Sequence, residues 1–143
     1  MIYLDTSALA KWYLNECRSE EFAAWIGEQA TVWISSLTRV EVRCLLSRRT
    51  RARELSPEQT GRVYAAFLDD VAQGFLALRP FADESVEDAS RLIELLPEHP
   101  LRTLDALHLA IARRAGASGI ATADRVMAAA AAALGLDVVD FSC

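Results

Sequence analysis

Met1-Ile2-Tyr3-Leu4-Asp5-Thr6-Ser7-Ala8-Leu9 decides how the rest of the chain reads. Ile2, Tyr3 and Leu4 form a short apolar run of β-prone residues. Asp5 ends it, and Thr6 and Ser7 lead into a helical spacing that puts Leu9, Trp12 and Tyr13 on one face. A buried strand that stops at a carboxylate and turns into a helix places that charge at the carboxyl edge of a sheet. Ligands bind at that edge in open α/β folds. The decisive question is whether later segments bring further acids to the same place.

The segments alternate. Strands are expected at 2–5, 31–34, 75–78, 119–122 and 138–141. Between them the apolar spacing predicts helices over 7–14, 19–29, 37 into an arginine-rich stretch that breaks near Leu55, 57–74, 83–96, 104–115 and 125–134. Ser56-Pro57-Glu58-Gln59 is a helix start with Ser as N-cap, Pro at the first position and Gln closing a capping box. Gly116 and Gly135 close two of the helices. Short apolar strands alternating with helices give a parallel sheet covered on both faces. The expected architecture is a three-layer α/β/α domain spanning residues 1–143, with about five parallel strands in the order 3-2-1-4-5. That order reverses between strands 1 and 4, so a crevice is expected above their carboxyl ends.

The 143 residues suit one domain, and a composition that is 52% hydrophobic suits a packed core. The longest stretch free of polar side chains, Val126–Leu136, has 11 residues, well short of the ~20 needed for a membrane span. The N-terminal residues carry Asp5 and no basic region, so no secretion signal is expected there. Three cysteines, Cys17, Cys44 and Cys143, without C-x-x-C spacing, argue against a disulfide framework or a zinc site. A reducing, cytoplasmic setting is the expectation.

Four acids fall at the predicted carboxyl edge. Asp5 ends the first strand and Asp124 follows the fourth. Asp105 opens the helix that returns to the bottom of the sheet, and Glu41 lies within two turns of the start of the helix after strand 2. Singly, these are unremarkable as N-caps, dipole partners or an exposed helical residue. Together they would repel strongly, and a divalent cation is the natural remedy. Oxygen-only ligands with retained water suit Mg2+ or Mn2+, which can activate water against a phosphodiester. His108 lies one turn after Asp105, and its spacing suits a core histidine or one that supports the acids.

Net charge is −5, yet fourteen of the fifteen basic residues are arginines, and six of them crowd into residues 39–53. Arginine's planar fork matches phosphate oxygens. Arg39, Arg43, Arg48, Arg49 and, beside Asp105, Arg102 are candidates for contacts to a phosphate backbone, against the plainer reading of a solvated helix face.

Tyr3-Leu4-Asp5-Thr6-Ser7-Ala8-Leu9, Ser35-Ser36-Leu37-Thr38-Arg39-Val40-Glu41, Leu104-Asp105-Ala106-Leu107-His108-Leu109-Ala110 and Thr122-Ala123-Asp124, in that order, resemble the signature blocks of the PIN domain. More narrowly they resemble the VapC toxins of toxin–antitoxin pairs. The resemblance implies a cytoplasmic, Mg2+- or Mn2+-dependent endoribonuclease, often a homodimer, restrained by a small VapB-like antitoxin. Carried over by position, Asp5, Glu41, Asp105 and Asp124 would form the catalytic, metal-binding set, with Glu41 possible as an indirect ligand. Ser7 and Thr122 would support it. Trp12, Tyr13, Phe22 and Trp25 are candidates for a groove that receives the antitoxin. The competing expectations are a catalytically silent module that holds RNA or a partner, and a metal-dependent phosphohydrolase acting on small substrates. Ser7 stands where a haloacid-dehalogenase-like enzyme would want a second Asp, which weakens the last.

Overall fold

The computed structural model describes residues 1–143. In chain order the elements are β1 (Ile2–Leu4), α1 (Thr6–Tyr13), α2 (Ser19–Gly27), β2 (Val32–Ser35), α3 (Leu37–Arg51), α4 (Pro57–Ala72), β3 (Leu76–Arg79), α5 (Asp83–Leu95), α6 (Thr103–Arg114), β4 (Gly119–Thr122), α7 (Arg125–Ala133) and β5 (Asp137–Asp140). All strand pairs are parallel, and the sheet order is β3-β2-β1-β4-β5. The expected order therefore holds.

Period-2 alternation in β1 divides the core into two layers. Tyr3 points to one face, where it packs with Ala89 and Leu92 of α5, Leu109 of α6 and Met127 of α7. Leu4 points to the other, with Leu9, Phe22, Ile26, Leu46 and Phe67 from α1 to α4. Right-handed crossovers require this split: connections on the β2–β3 side cover one face and those leading to β4 and β5 cover the other.

Several local signals act as expected. Ser56 Oγ accepts from Gln59 N at 3.1 Å, and Gln59 Oε1 accepts from Ser56 N at 2.8 Å, which completes the capping box of α4. Gly116 and Gly135 both take φ near +78°, the left-handed value that ends a helix without a Cβ clash. Others differ by a residue. α6 starts at Thr103 with Arg102 as its N-cap, because the Asp105 carboxylate reaches back to Arg102 N at 3.0 Å and fixes the first turn there.

The cysteines correct the sequence reading. Cys17, between α1 and α2, is disulfide-bonded to Cys143, and only Cys44 is free. The two partners lie 126 residues apart in sequence but 6.3 Å apart at Cα. An odd count in one chain carries no information about that proximity. The C-terminal tail is also held by Arg18, whose guanidinium donates to Ser142 O at 2.9 Å, and by Arg125, which donates to Cys143 O.

Two stability outcomes follow from this packing. Gly119 begins β4 where a Cβ would sit 2.6 Å from the Asp137 carbonyl oxygen of β5. Gly119→Ala is expected to cost about 2 kcal/mol and lower the melting temperature by about 6 °C in a thermal scan. Closing a loop of this length removes at most about 4–5 kcal/mol of unfolded-state freedom. Cys17→Ser is therefore expected to melt below the wild type in non-reducing buffer and to match it in excess dithiothreitol.

Candidate active site

The loops at the carboxyl edge of β1 and β4 open into a cleft of about 950 Å³. Asp5, Glu41, Asp105 and Asp124 all line it. They come from four separate elements, and each is held by local hydrogen bonds.

Asp5 caps α1. Its Oδ1 accepts from Ala8 N at 3.0 Å, and the whole residue is only 4% exposed. Ser7 Oγ donates to it at 2.8 Å and Thr122 Oγ1 at 2.7 Å. Burial pushes this carboxyl above the usual carboxylate range, opposed by the nearby His108 and by the hydrogen bonds from Ala8, Thr122 and Ser7. Asp124 caps α7 through Oδ1, which accepts from Val126 N at 2.8 Å and Met127 N at 3.0 Å. Capping and lining the cleft are thus one arrangement for both residues. Each helix start aims its cap carboxylate at the cleft, and the helix's positive end favours that negative charge.

Glu41 is held from the side. Thr6 Oγ1 donates to Oε1 at 2.8 Å, and His108 Nε2 donates to the same oxygen at 2.5 Å. His108 is 3% exposed, and its Nδ1 lies 2.6 Å from Tyr3 Oη. Burial works against charge on both Glu41 and His108. Their mutual hydrogen bond and attraction outweigh it, so Glu41 sits below its ordinary value and His108 above. The Glu41 Oε2 atom carries none of these contacts. Burial also raises the Tyr3 hydroxyl, which remains protonated.

Ser7 and Thr122 tie the two central strands together. After donating to Asp5, Ser7 Oγ accepts from Ala123 N at 2.9 Å, and Thr122 Oγ1 accepts from Asp124 N at 3.0 Å. His108 takes the supporting position that its spacing allowed, whereas Thr6 and Tyr3 were not assigned from the sequence. The available signal was the hydroxyl pair Thr6-Ser7 directly after an acid, and Tyr3 two residues before it on the same strand face.

The basic candidates separate. Arg48, Arg49 and Arg102 line the cleft, whereas Arg39 and Arg43 are not among its walls. Arg43 lies over the Tyr64 ring at 3.5 Å, and Arg49 is engaged by Glu16 and Glu54. Arg102 reaches Asp105 and Asp124, each at 3.5 Å. Among the groove candidates, Trp12 is 39% exposed. Tyr13 donates its hydroxyl to Asp70 and packs edge-on against Phe67. Trp25 packs on Phe22 and Phe141.

A family model described as PIN domain matches residues 2–133. The chain belongs to the PIN domain family. It is 37% identical to Ribonuclease VapC35 of Mycobacterium tuberculosis, over 97% of this chain and 96% of that one. Among solved structures, VapC20 of Mycobacterium tuberculosis, a toxin described as cleaving the sarcin-ricin loop, superposes with a TM-score of 0.72 at 21% identity, covering 91% of this chain and 95% of its own. VapBC2 of Rickettsia felis, bound to a promoter DNA fragment, superposes at 0.70 and 17% identity over 99% and 100%. These two share the PIN fold seen here.

The donor set is anionic and all oxygen, which is what Mg2+ and Mn2+ prefer. No three His, Cys, Asp or Glu side chains are clustered tightly enough to grip one ion by direct contact alone. Mg2+ commonly keeps several waters and takes one or two carboxylates, so these residues fit an ion held partly through water.

The Glu41–His108 pair sets a pH window. His108 contributes stability that is complete below its ordinary value of 6.5 and is lost as pH rises through its raised one. Glu41 contributes above its ordinary 4.5, and this is lost as pH falls through its lowered value. In EDTA, the melting gap between wild type and His108→Gln is expected to be wider at about pH 6 than at about pH 9. An equal gap at both would mean that the imidazole is uncharged throughout.

Proposed function

We propose that this protein is a Mg2+- or Mn2+-dependent endoribonuclease and the toxin of a VapBC-type pair. The observation that carries this reading is the meeting of four carboxylates from four elements in one cleft. Kinship with a protein named a ribonuclease, over nearly the whole of both chains, supports the same activity.

Asp5, Asp105 and Asp124 would hold the ion, in part through retained water, with Glu41 acting directly or through water. When bound, a divalent ion supplies positive charge to the phosphodiester and makes water a better nucleophile. The chain's own residues prepare that step. Thr122 and Ser7 fix the Asp5 carboxylate, so little reorganisation is needed when substrate arrives. Glu41, kept ionised by His108 and Thr6, offers Oε2 to orient or deprotonate a water. Attack by that water in line with the leaving oxygen breaks the P–O bond. Arg48 and Arg102, at the cleft wall, suit the flanking RNA phosphates. Leu104 and Val40, 45% and 63% exposed, offer apolar contact to unstacked bases on either side.

The partners are RNA, a small VapB-like antitoxin and a second copy of the chain, with cytoplasmic action. The antitoxin proposal rests on the VapBC2 assembly as its neighbour in fold, and Trp12 is an exposed aromatic on α1, a helix that contributes Thr6, Ser7 and Lys11 to the cleft. No helix is long and apolar enough to cross a membrane.

Asp5→Asn is expected to lower Mg2+-dependent cleavage of single-stranded RNA by more than ~100-fold, beyond the usual cost of losing an outer partner of a metal site. It should leave the fold intact, because an amide oxygen can still cap α1. Cleavage at the wild-type rate would remove the nuclease assignment. RNA binding without any cleavage by the wild type would favour a silent binding module.

A further inference from the structure

Of the lysine and arginines in the cleft, Arg102 alone touches the acids. Lys11 is given to the Cys17 carbonyl, and Arg49 to Glu16 and Glu54. Arg102 is anchored at its root, where its backbone N–H donates to Asp105 Oδ2 at 3.0 Å. Its side chain nevertheless stays 79% exposed, and its guanidinium straddles two carboxylates. On Asp124 it meets Oδ2, the oxygen not used to cap α7. Both contacts are 3.5 Å, longer than the ~2.7–2.9 Å of strong charge-assisted bonds. An exposed, loosely seated ion pair contributes little and is easily exchanged.

We infer that Arg102 is a displaceable counter-ion, which neutralises Asp105 and Asp124 until a divalent cation takes them and then turns its freed guanidinium to an RNA phosphate. This rests on the nuclease reading above and adds a coupling to it. Metal and guanidinium compete for the same oxygens, so metal binding liberates the fork that phosphate needs. Removing Arg102 therefore has opposite effects on the two ligands, tightening metal and loosening RNA. A residue that only stabilised the loop would weaken both.

The test is Mn2+ calorimetry on the RNA-free protein, comparing wild type, R102Q and R102K, with melting curves in EDTA to verify folding. R102Q is expected to bind Mn2+ roughly fivefold more tightly or better. R102K, which keeps a charge without the fork, is expected to fall between, and serves alone if R102Q does not fold. With Mn2+ present and single-stranded RNA whose backbone linkages resist cleavage, R102Q is expected to bind more weakly than wild type, with a salt slope shallower by about one phosphate contact. Wild-type and R102Q affinities for Mn2+ that are equal, or a weaker R102Q, would overturn the inference and leave the nuclease reading standing. A wild type that takes up no Mn2+ would sink both.

Discussion

Like charges at one sheet edge are the constraint that the rest of this structure answers. Four carboxylates approach a common cleft, and their repulsion grows as the surroundings become less like water. The fold meets this with fixed donors rather than with bulk solvent. Backbone N–H groups at the starts of α1 and α7 take Asp5 and Asp124, and the N-terminal turn of α6 takes Asp105. His108 and Thr6 take Glu41. Each acid is thereby held in place at the wall of the cleft. Such preorganisation is what a charge-stabilising site requires.

The topology makes those donors available. In a parallel sheet every strand ends on the same edge, and every following helix begins there with its N–H groups unpaired. The reversal of order between β1 and β4 leaves a gap between the helices of the two layers. Ser7 and Thr122 close the bottom of that gap. Each spends its proton on Asp5 and accepts a backbone N–H from the strand end opposite or beside it. The pairing of β1 with β4 and the orientation of Asp5 are therefore one structural feature.

The arginines reconcile an acidic chain with an anionic substrate. Net charge is −5, but the sign varies locally, and steering depends on the local field. Several arginines of α3 serve the fold. Arg43 stacks on Tyr64, and Arg49 joins Glu16 to Glu54. Arg48 and Arg102 face the cleft. A run of like residues in sequence thus divides into members engaged by neighbouring side chains, as Arg43 and Arg49 are, and members such as Arg48 that stand at the cleft wall without such a partner.

The sequence by itself determined the alternation of strands and helices and which acids end or open those elements, because burial periodicity and cap chemistry are local, and general crossover rules then narrowed the strand order. Ile2-Tyr3-Leu4-Asp5 reads as strand then cap in any setting, and the identity of the acids followed from the signature blocks around them. Only the tertiary structure decided which contacts span the chain. The Cys17–Cys143 bridge, the Tyr3–His108–Glu41 chain and the reach of Arg102 to Asp124 join residues 126, 105, 67 and 22 positions apart. Their partners are set by strand register and helix packing, and no local pattern encodes a distance between segments that meet only when the sheet forms.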